Sequence, residues 1–223
     1  MSNHYHPKRV TPDSAPMRVV LFRSRRKDNT HVEGFRERFE SFLTRDPLVS
    51  LESRFARFVH DGLPGETSRF YVSVNARDDA KVRTALLHML IDEPDVDMAS
   101  VGQMAVSIAA RPSNAAQHRW LFDVDDPDLL AVNLLINDIH RISQETDTAN
   151  GVEVRRTPNG WHVICEHGFD LRRLHLPETT ELKKDALTIH MWAANIGDPS
   201  QLNALQSFWM RDTPQRDRSG YGR

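Results

Sequence analysis

The sequence predicts an α+β domain whose core is a mixed sheet flanked by helices. Three observations lead to this prediction. Short apolar runs typical of strands alternate along the chain with segments whose apolar residues recur at helical spacing. The turn sequence TPNG separates two alternating runs and indicates a β-hairpin late in the chain. The sequence contains no internal repeat and no low-complexity tract, so a repeat architecture is not indicated.

The first half of the chain contains two predicted strand and helix pairs. In order, they are a strand at 18–22, a helix at 32–44, a strand at 69–75 and a helix at 78–91. The first helix is predicted from the near-helical spacing of Phe35, Phe39 and Phe42. The segment 99–109 fits a strand or a helix, and its pattern leaves the choice open.

The second half begins with the apolar run RWLFDV and ends with the hairpin and one more strand. In order, the predicted elements are a strand at 118–124, a helix at 127–143, hairpin strands at 152–156 and 161–166, a short helix at 170–175, a strand at 186–192 and an amphipathic helix at 199–210. Asp126 is the predicted N-cap of the second helix, and Pro127 fits the first helical turn.

Composition limits the classes of protein that fit. The 223 residues suit one domain, predicted at 17–210, between a flexible segment at 1–16 and a flexible tail at 211–223. With 29 basic and 31 acidic residues, the chain lacks the excess charge that coats nucleic acid. A single cysteine, Cys165, and the lack of a long apolar run predict a cytoplasmic protein without a membrane segment.

Two carboxylates at the end of the strand at 118–124 are the first candidate site residues. Strand alternation places Asp123 and Asp125 on one face, with Cα atoms roughly 6.5 to 7 Å apart. Such a pair is costly unless a cation or a proton intervenes, and two divalent ions bridged by aspartates serve phosphoryl transfer. The alternative for Asp123 and Asp125 is a solvated strand end that leads into a loop. The next two acids, Asp126 and Asp128, are explained by the start of the following helix and need no role in chemistry.

The predicted hairpin supplies the second group of candidates. His162 lies on its second strand just after Gly160, with Arg155 and Arg156 across the hairpin. A histidine beside guanidinium groups can donate a hydrogen bond to a nucleotide phosphate. The alternative is a half-exposed packing residue.

These motifs resemble the archaeo-eukaryotic primase superfamily, which includes primase-polymerases of phages and plasmids. The matching motifs are FDVD, NGWHV and a later carboxylate beside a strand, for which Asp185 in LKKDALTI is the first candidate and Asp170 in GFDL the reserve. The resemblance spans about residues 18–192. It implies two Mg or Mn ions held by Asp123, Asp125 and the third acid, and nucleotide contact through His162. Gly160 stands where the family often has Ser, and no zinc-binding cysteine cluster or helicase module is present.

The expected function is therefore metal-dependent transfer of a nucleoside triphosphate to a 3′ hydroxyl, with DNA or RNA as template and a helicase as a possible partner in replication. Arg23 and Arg25, in a basic loop, are candidates for contact with the triphosphate or the template. Three alternatives stay open: a metal-dependent nuclease, a non-catalytic nucleic-acid-binding accessory protein, and nucleotidyl transfer to a small molecule. All of the catalytic readings require His162 to lie beside the two acids.

Overall fold

The computed structural model describes residues 14–146 and 150–197, and it confirms the α+β class with about 36% helix and 28% strand. The elements are β1 Arg18–Ser24, β2 Arg38–Thr44, α1 Glu52–His60, β3 Thr67–Ser73, α2 Asp79–Asp92, α3 Val101–Ala109, β4 Trp120–Val124, α4 Leu129–Glu145, β5 Val152–Arg156, β6 Trp161–Cys165, β7 Thr180–Lys183 and β8 Leu187–Ala194. In place of one mixed sheet, the strands form two antiparallel four-stranded sheets. Their orders are β2-β1-β3-β8 and β5-β6-β4-β7.

Among the described residues, contacts within the chain define two compact units. The first comprises residues 14–21, 40–46, 70–146 and 150–190. The second comprises residues 22–39, 47–69 and 191–197. The whole β5-β6-β4-β7 sheet lies in the first unit.

Helix α4 covers one face of the β5-β6-β4-β7 sheet. Its buried residues repeat at helical spacing, and the buried residues of β4 and β6 on that face alternate along each strand. Together they form a core of Phe122, Val124, Val132, Leu135, Ile139, Ile142, Val163 and Cys165. Because strand alternation sends odd and even positions to opposite faces, Asp123 and His162 point away from α4.

The second unit has its own aromatic core around helix α1. Phe22 of β1 packs on Phe55 and Phe58 of α1, with ring centroids 5.3 and 5.8 Å apart. The buried residues of α1 recur at helical spacing, so this helix has a sequence signal that the element predictions did not use.

The predicted helix at 32–44 is wrong, because most of this segment is strand β2. Gly34 has a φ of 71°, a left-handed conformation that interrupts any helix begun at residue 32. The three phenylalanines do not share a buried face: Phe35 is buried, whereas Phe39 is 70% exposed. Pairing with β1 therefore overrides the near-helical spacing.

Several smaller predictions are settled in the same way. Residues 101–109 are helical, which resolves the open segment, and a 3-10 turn at Leu171–Arg173 takes the place of a short helix. The N-cap of α4 is Asp128, whose side chain accepts a hydrogen bond from the Leu130 amide, so the prediction of Asp126 is wrong. The carboxylate of Asp126 instead accepts from the Asp128 amide (2.8 Å), which delays the helix by two residues. The predicted helix at 199–210 lies outside the described residues.

Within the described residues, no helix is both long and apolar enough to cross a membrane.

Candidate functional site

A row of polar side chains crosses the β5-β6-β4-β7 sheet on the face opposite α4. Asp123 of β4 is paired with His162 of β6 on one side and with Glu181 of β7 on the other. Arg155 of β5 is paired in turn with His162. Register alone therefore brings Arg155, His162, Asp123 and Glu181 into one line, since directly opposed residues point to the same face.

Asp123 is held by two side chains. His162 Nε2 lies 3.3 Å from one of its carboxylate oxygens, and Lys183 Nζ lies 2.7 Å from the other. The same ammonium lies 3.2 Å from Glu181, so Lys183 bridges the two acids. Because the Asp123 side chain is only 22% exposed, the contacts with His162 and Lys183 stabilise its negative charge more than they would in water.

These contacts shift the pKa values of both charged partners. The hydrogen bond from His162 lowers the pKa of Asp123 well below its ordinary value, against burial, which raises it; the hydrogen bond from Lys183 adds to the lowering. Burial lowers the pKa of Lys183, but its contacts with Asp123 outweigh burial, so the net pKa is raised. The pair is therefore ionised at neutral pH.

His162 is buried at 7% exposure, and both of its ring nitrogens are engaged. Nδ1 lies 2.9 Å from the Thr188 hydroxyl and 3.5 Å from the Ile189 amide. An amide can only donate, so Nδ1 accepts and the ring proton lies on Nε2, facing Asp123. Thr188, Asp123 and His162 form a line like that of a hydrolase triad, but Thr188 is 2% exposed and is therefore no nucleophile for an external substrate.

Gly160 holds the hairpin turn against the end of β4. A Cβ atom at this position would lie 2.0 Å from the Val124 carbonyl oxygen and 2.9 Å from the Asp126 amide nitrogen. The turn is closed by the Thr157 hydroxyl, which accepts from the Gly160 amide (3.0 Å). The requirement for glycine in NGWHV is therefore steric, and it fixes the β6 backbone two residues before His162.

The other predicted acids are placed differently. Asp125 is exposed beyond the end of β4. The Asp185 side chain is 7% exposed and receives two hydrogen bonds from Arg77 (2.8 and 3.1 Å) and one from Asn75 (3.0 Å). Asn75 also bonds the backbone of Arg119, four residues before Asp123, which corresponds to about 13 Å along a strand. Asp170, the reserve candidate, caps the 3-10 turn and pairs with exposed Arg172.

The predicted third ligand, Asp185, is therefore already engaged by Arg77 and Asn75, and Asp125 is exposed beyond β4. Asp185 lies toward the opposite end of β4, and its two oxygens are taken by Arg77 and Asn75. Throughout residues 14–146 and 150–197, no group of three or more His, Cys, Asp or Glu side chains is arranged to hold a metal ion.

The arginines predicted to meet a nucleotide fall into two groups. Arg155 lies in the polar row and pairs with Glu153 at 2.5 Å. Arg156, next to it, lies over the Trp161 ring at 5.4 Å. Arg23 and Arg25 belong to the second unit, where they pair with Glu37 (3.5 Å) and Asp28 (3.0 Å).

Sequence reasoning missed Glu181 as a member of the site, and it did not connect Lys183 with Asp123. Both lie on β7, a four-residue strand that was not predicted, and its register sends them to the face of Asp123. The alternation of TELK was the available signal, but four residues are too few to separate a strand from a loop.

Comparisons of the chain with protein-family models, with curated proteins and with solved structures gave no match. The resemblance to primases therefore depends on the short motifs alone.

Proposed function

We propose that the chain is a primase-like nucleotidyltransferase that joins nucleoside triphosphates to a 3′ hydroxyl. In that reaction a bond forms between the 3′ oxygen and the α-phosphorus, and the bond to pyrophosphate breaks. The supporting observation is the direct pairing of Asp123 with His162 on neighbouring strands, 3.3 Å apart through their side chains. FDVD and NGWHV are about forty residues apart in sequence, so this meeting is specific to the fold.

The basic and acidic residues of the row have different roles in this proposal. Arg155 and His162 supply donors for phosphate oxygens, and Asp123 fixes the imidazole through Nε2. A phosphate oxygen can accept a hydrogen bond from Nε2 only after the His162 ring turns away from Asp123, because both ring nitrogens are engaged. A divalent ion held by Asp123 would supply positive charge to the triphosphate and the leaving pyrophosphate. On this chain, access of an ion to Asp123 requires movement of Lys183.

A primer-extension assay tests the proposal. The purified chain is incubated with labelled nucleotides and primed or unprimed single-stranded templates, with Mg or Mn and without either. Extension that depends on the ion is expected, and Asp123→Asn should reduce it at least about a hundredfold. Asp138→Asn, on the exposed side of α4, is the matched control and should leave it unchanged. Shortening of the template instead would indicate a nuclease.

A second function, nucleic-acid or nucleotide binding without turnover, is favoured by one observation. Lys183 neutralises Asp123 internally, which is the arrangement expected of a site that needs no metal. Binding of labelled single strands that is equal with and without EDTA, together with no extension or cleavage, would support this reading over the first.

A further inference from the structure

Two arginines share one acid beside the polar row of the β5-β6-β4-β7 sheet. Arg119 and Arg155 both pair with Glu153, at 3.1 and 2.5 Å. After burial, the charges of these two arginines lower the pKa of the half-buried Arg18 of β1, and Glu153 raises it. The cluster of Arg119, Arg155 and Glu153 therefore carries two positive charges and one negative charge.

This excess of charge has the properties of an anion site. Guanidinium groups are weakly hydrated, and their planar donors match the oxygens of a phosphoryl group. The side chains of Arg119 and Arg155 are 22% and 30% exposed, so they are partly desolvated yet within reach of a ligand. Glu153, which is 40% exposed, accepts from both of them and occupies donors that an incoming anion would use.

The cluster is continuous with the row that contains Asp123. Arg155 is paired with His162, and His162 with Asp123, so a group bound by Arg155 lies one strand from the imidazole. Arg119 was not predicted as a ligand contact, because only the fold brings it to the glutamate that Arg155 contacts.

We propose that Arg119 and Arg155 bind a phosphoryl group, with Glu153 as a built-in competitor that fills the site when no anion is bound. The inference deepens the proposed function by assigning its phosphate contacts, and it rests on that function only for the origin of the phosphoryl group. The binding itself requires no chemistry.

Opposite charge changes at neighbouring positions test the proposal. Inorganic tripolyphosphate is titrated into the full chain by calorimetry, without divalent ions, at fixed salt. Arg155→Gln and Arg119→Gln should each weaken binding about tenfold, whereas Glu153→Gln should tighten it several-fold because it frees the donors. Arg141→Gln is the matched control, since Arg141 is an exposed arginine of α4 paired with Asp138 at 2.8 Å. It should change the affinity less than twofold.

A purely structural role for these ion pairs predicts a different pattern. Glu153→Gln would then weaken binding along with the arginine variants, or leave it unchanged, and either result would overturn the proposal. An effect of Arg141→Gln equal to that of Arg155→Gln would also overturn it, because the change in affinity would then follow from the net charge of the protein and not from a particular site. Circular dichroism melts identify any variant that is unfolded at the assay temperature.

Parallel titrations with a nucleoside triphosphate and a single-stranded oligonucleotide separate the two sources of the phosphoryl group. Either ligand supports the site if its affinity follows the same pattern across the variants. A chain that binds tripolyphosphate through these arginines but extends no primer keeps this inference and loses the proposed function. A chain that extends primers with unaltered efficiency in Arg119→Gln and Arg155→Gln keeps nucleotidyl transfer as its function, but it loses this inference together with the phosphate contact assigned to Arg155.

Discussion

Replacement of Gly160 by alanine is the sharpest test of how the hairpin is held against β4. The new Cβ atom would lie 2.0 Å from the Val124 carbonyl oxygen, and separations under 3.0 Å essentially never occur. The turn or the end of β4 must therefore move by at least about 1 Å to clear a contact with rigid backbone. No strain from a left-handed conformation contributes, because Gly160 is not among the glycines with positive φ.

The expected cost is at the upper end of that for overpacking, about 3 kcal/mol. For a chain of this size, it corresponds to a fall in melting temperature of about 6 to 12 °C. Gly102→Ala is the control: Gly102 lies in α3, a Cβ there meets nothing within 4 Å, and alanine favours the helix. That variant should melt at or slightly above the wild-type temperature.

The assay is thermal unfolding followed by circular dichroism at neutral pH for the wild type and both variants. A Gly160→Ala protein that melts within about 1 °C of the wild type would mean that the hairpin does not approach β4 as described. The pairing of Asp123 with His162 would then lose its structural support, since Gly160 sets the position of β6 two residues before the imidazole.

Three further outcomes follow from the ion pairs and the buried histidine. Lys183→Met should destabilise the fold by about 1 kcal/mol in urea titrations because Asp123 loses a partner; Lys184→Met, at the exposed neighbouring lysine, should have less effect. Arg77→Gln should cost about 3 to 5 kcal/mol in the same measurement, since it leaves Asp185 buried without its cation. Burial and the charge of Arg155 lower the pKa of His190 from 6.5 to about 4, so the unfolded chain binds a proton in this range that the folded chain does not. Stability should therefore be full above pH 6.5 and fall by about 3 kcal/mol toward pH 4, and His190→Gln should flatten that decline in melts across this range.

The parts of the fold that sequence could predict are those whose signals are local. The TPNG turn between alternating runs predicted the hairpin, and helical spacing after FDVDD predicted α4. Alternation also placed Asp123 and His162 away from the apolar core, and the structure brings the two side chains together. Each of these predictions depends on residues within about twenty positions of one another, whereas the contact between Asp123 and His162 joins strands about forty residues apart.

The parts that sequence could not predict depend on pairing between distant strands. The segment 38–44 has near-helical spacing and is nevertheless a strand, because its place beside β1 is decided by the sheet. Asp185 looked like a third ligand because it precedes an apolar run, but Arg77, 108 residues earlier, takes its carboxylate. Lys183 and Glu181 reach Asp123 through a register that no local pattern indicates.

The sequence suggested a metal ion because Asp123 and Asp125 seemed to repel each other on one buried face. In the fold that premise changes, since Asp125 is exposed and Asp123 already has an ammonium and an imidazole as partners. The cation that stabilises the Asp123 carboxylate is therefore Lys183, and stability gives no reason to expect another. The proposal of nucleotidyl transfer now depends on the phosphate side of the site, where Arg155 and His162 stand in line, rather than on repulsion between carboxylates. A divalent ion at this site would consequently compete with Lys183 for the Asp123 carboxylate. Lys183→Met removes that competitor and so favours binding of the ion, whereas a substitution at another acid leaves Lys183 in place.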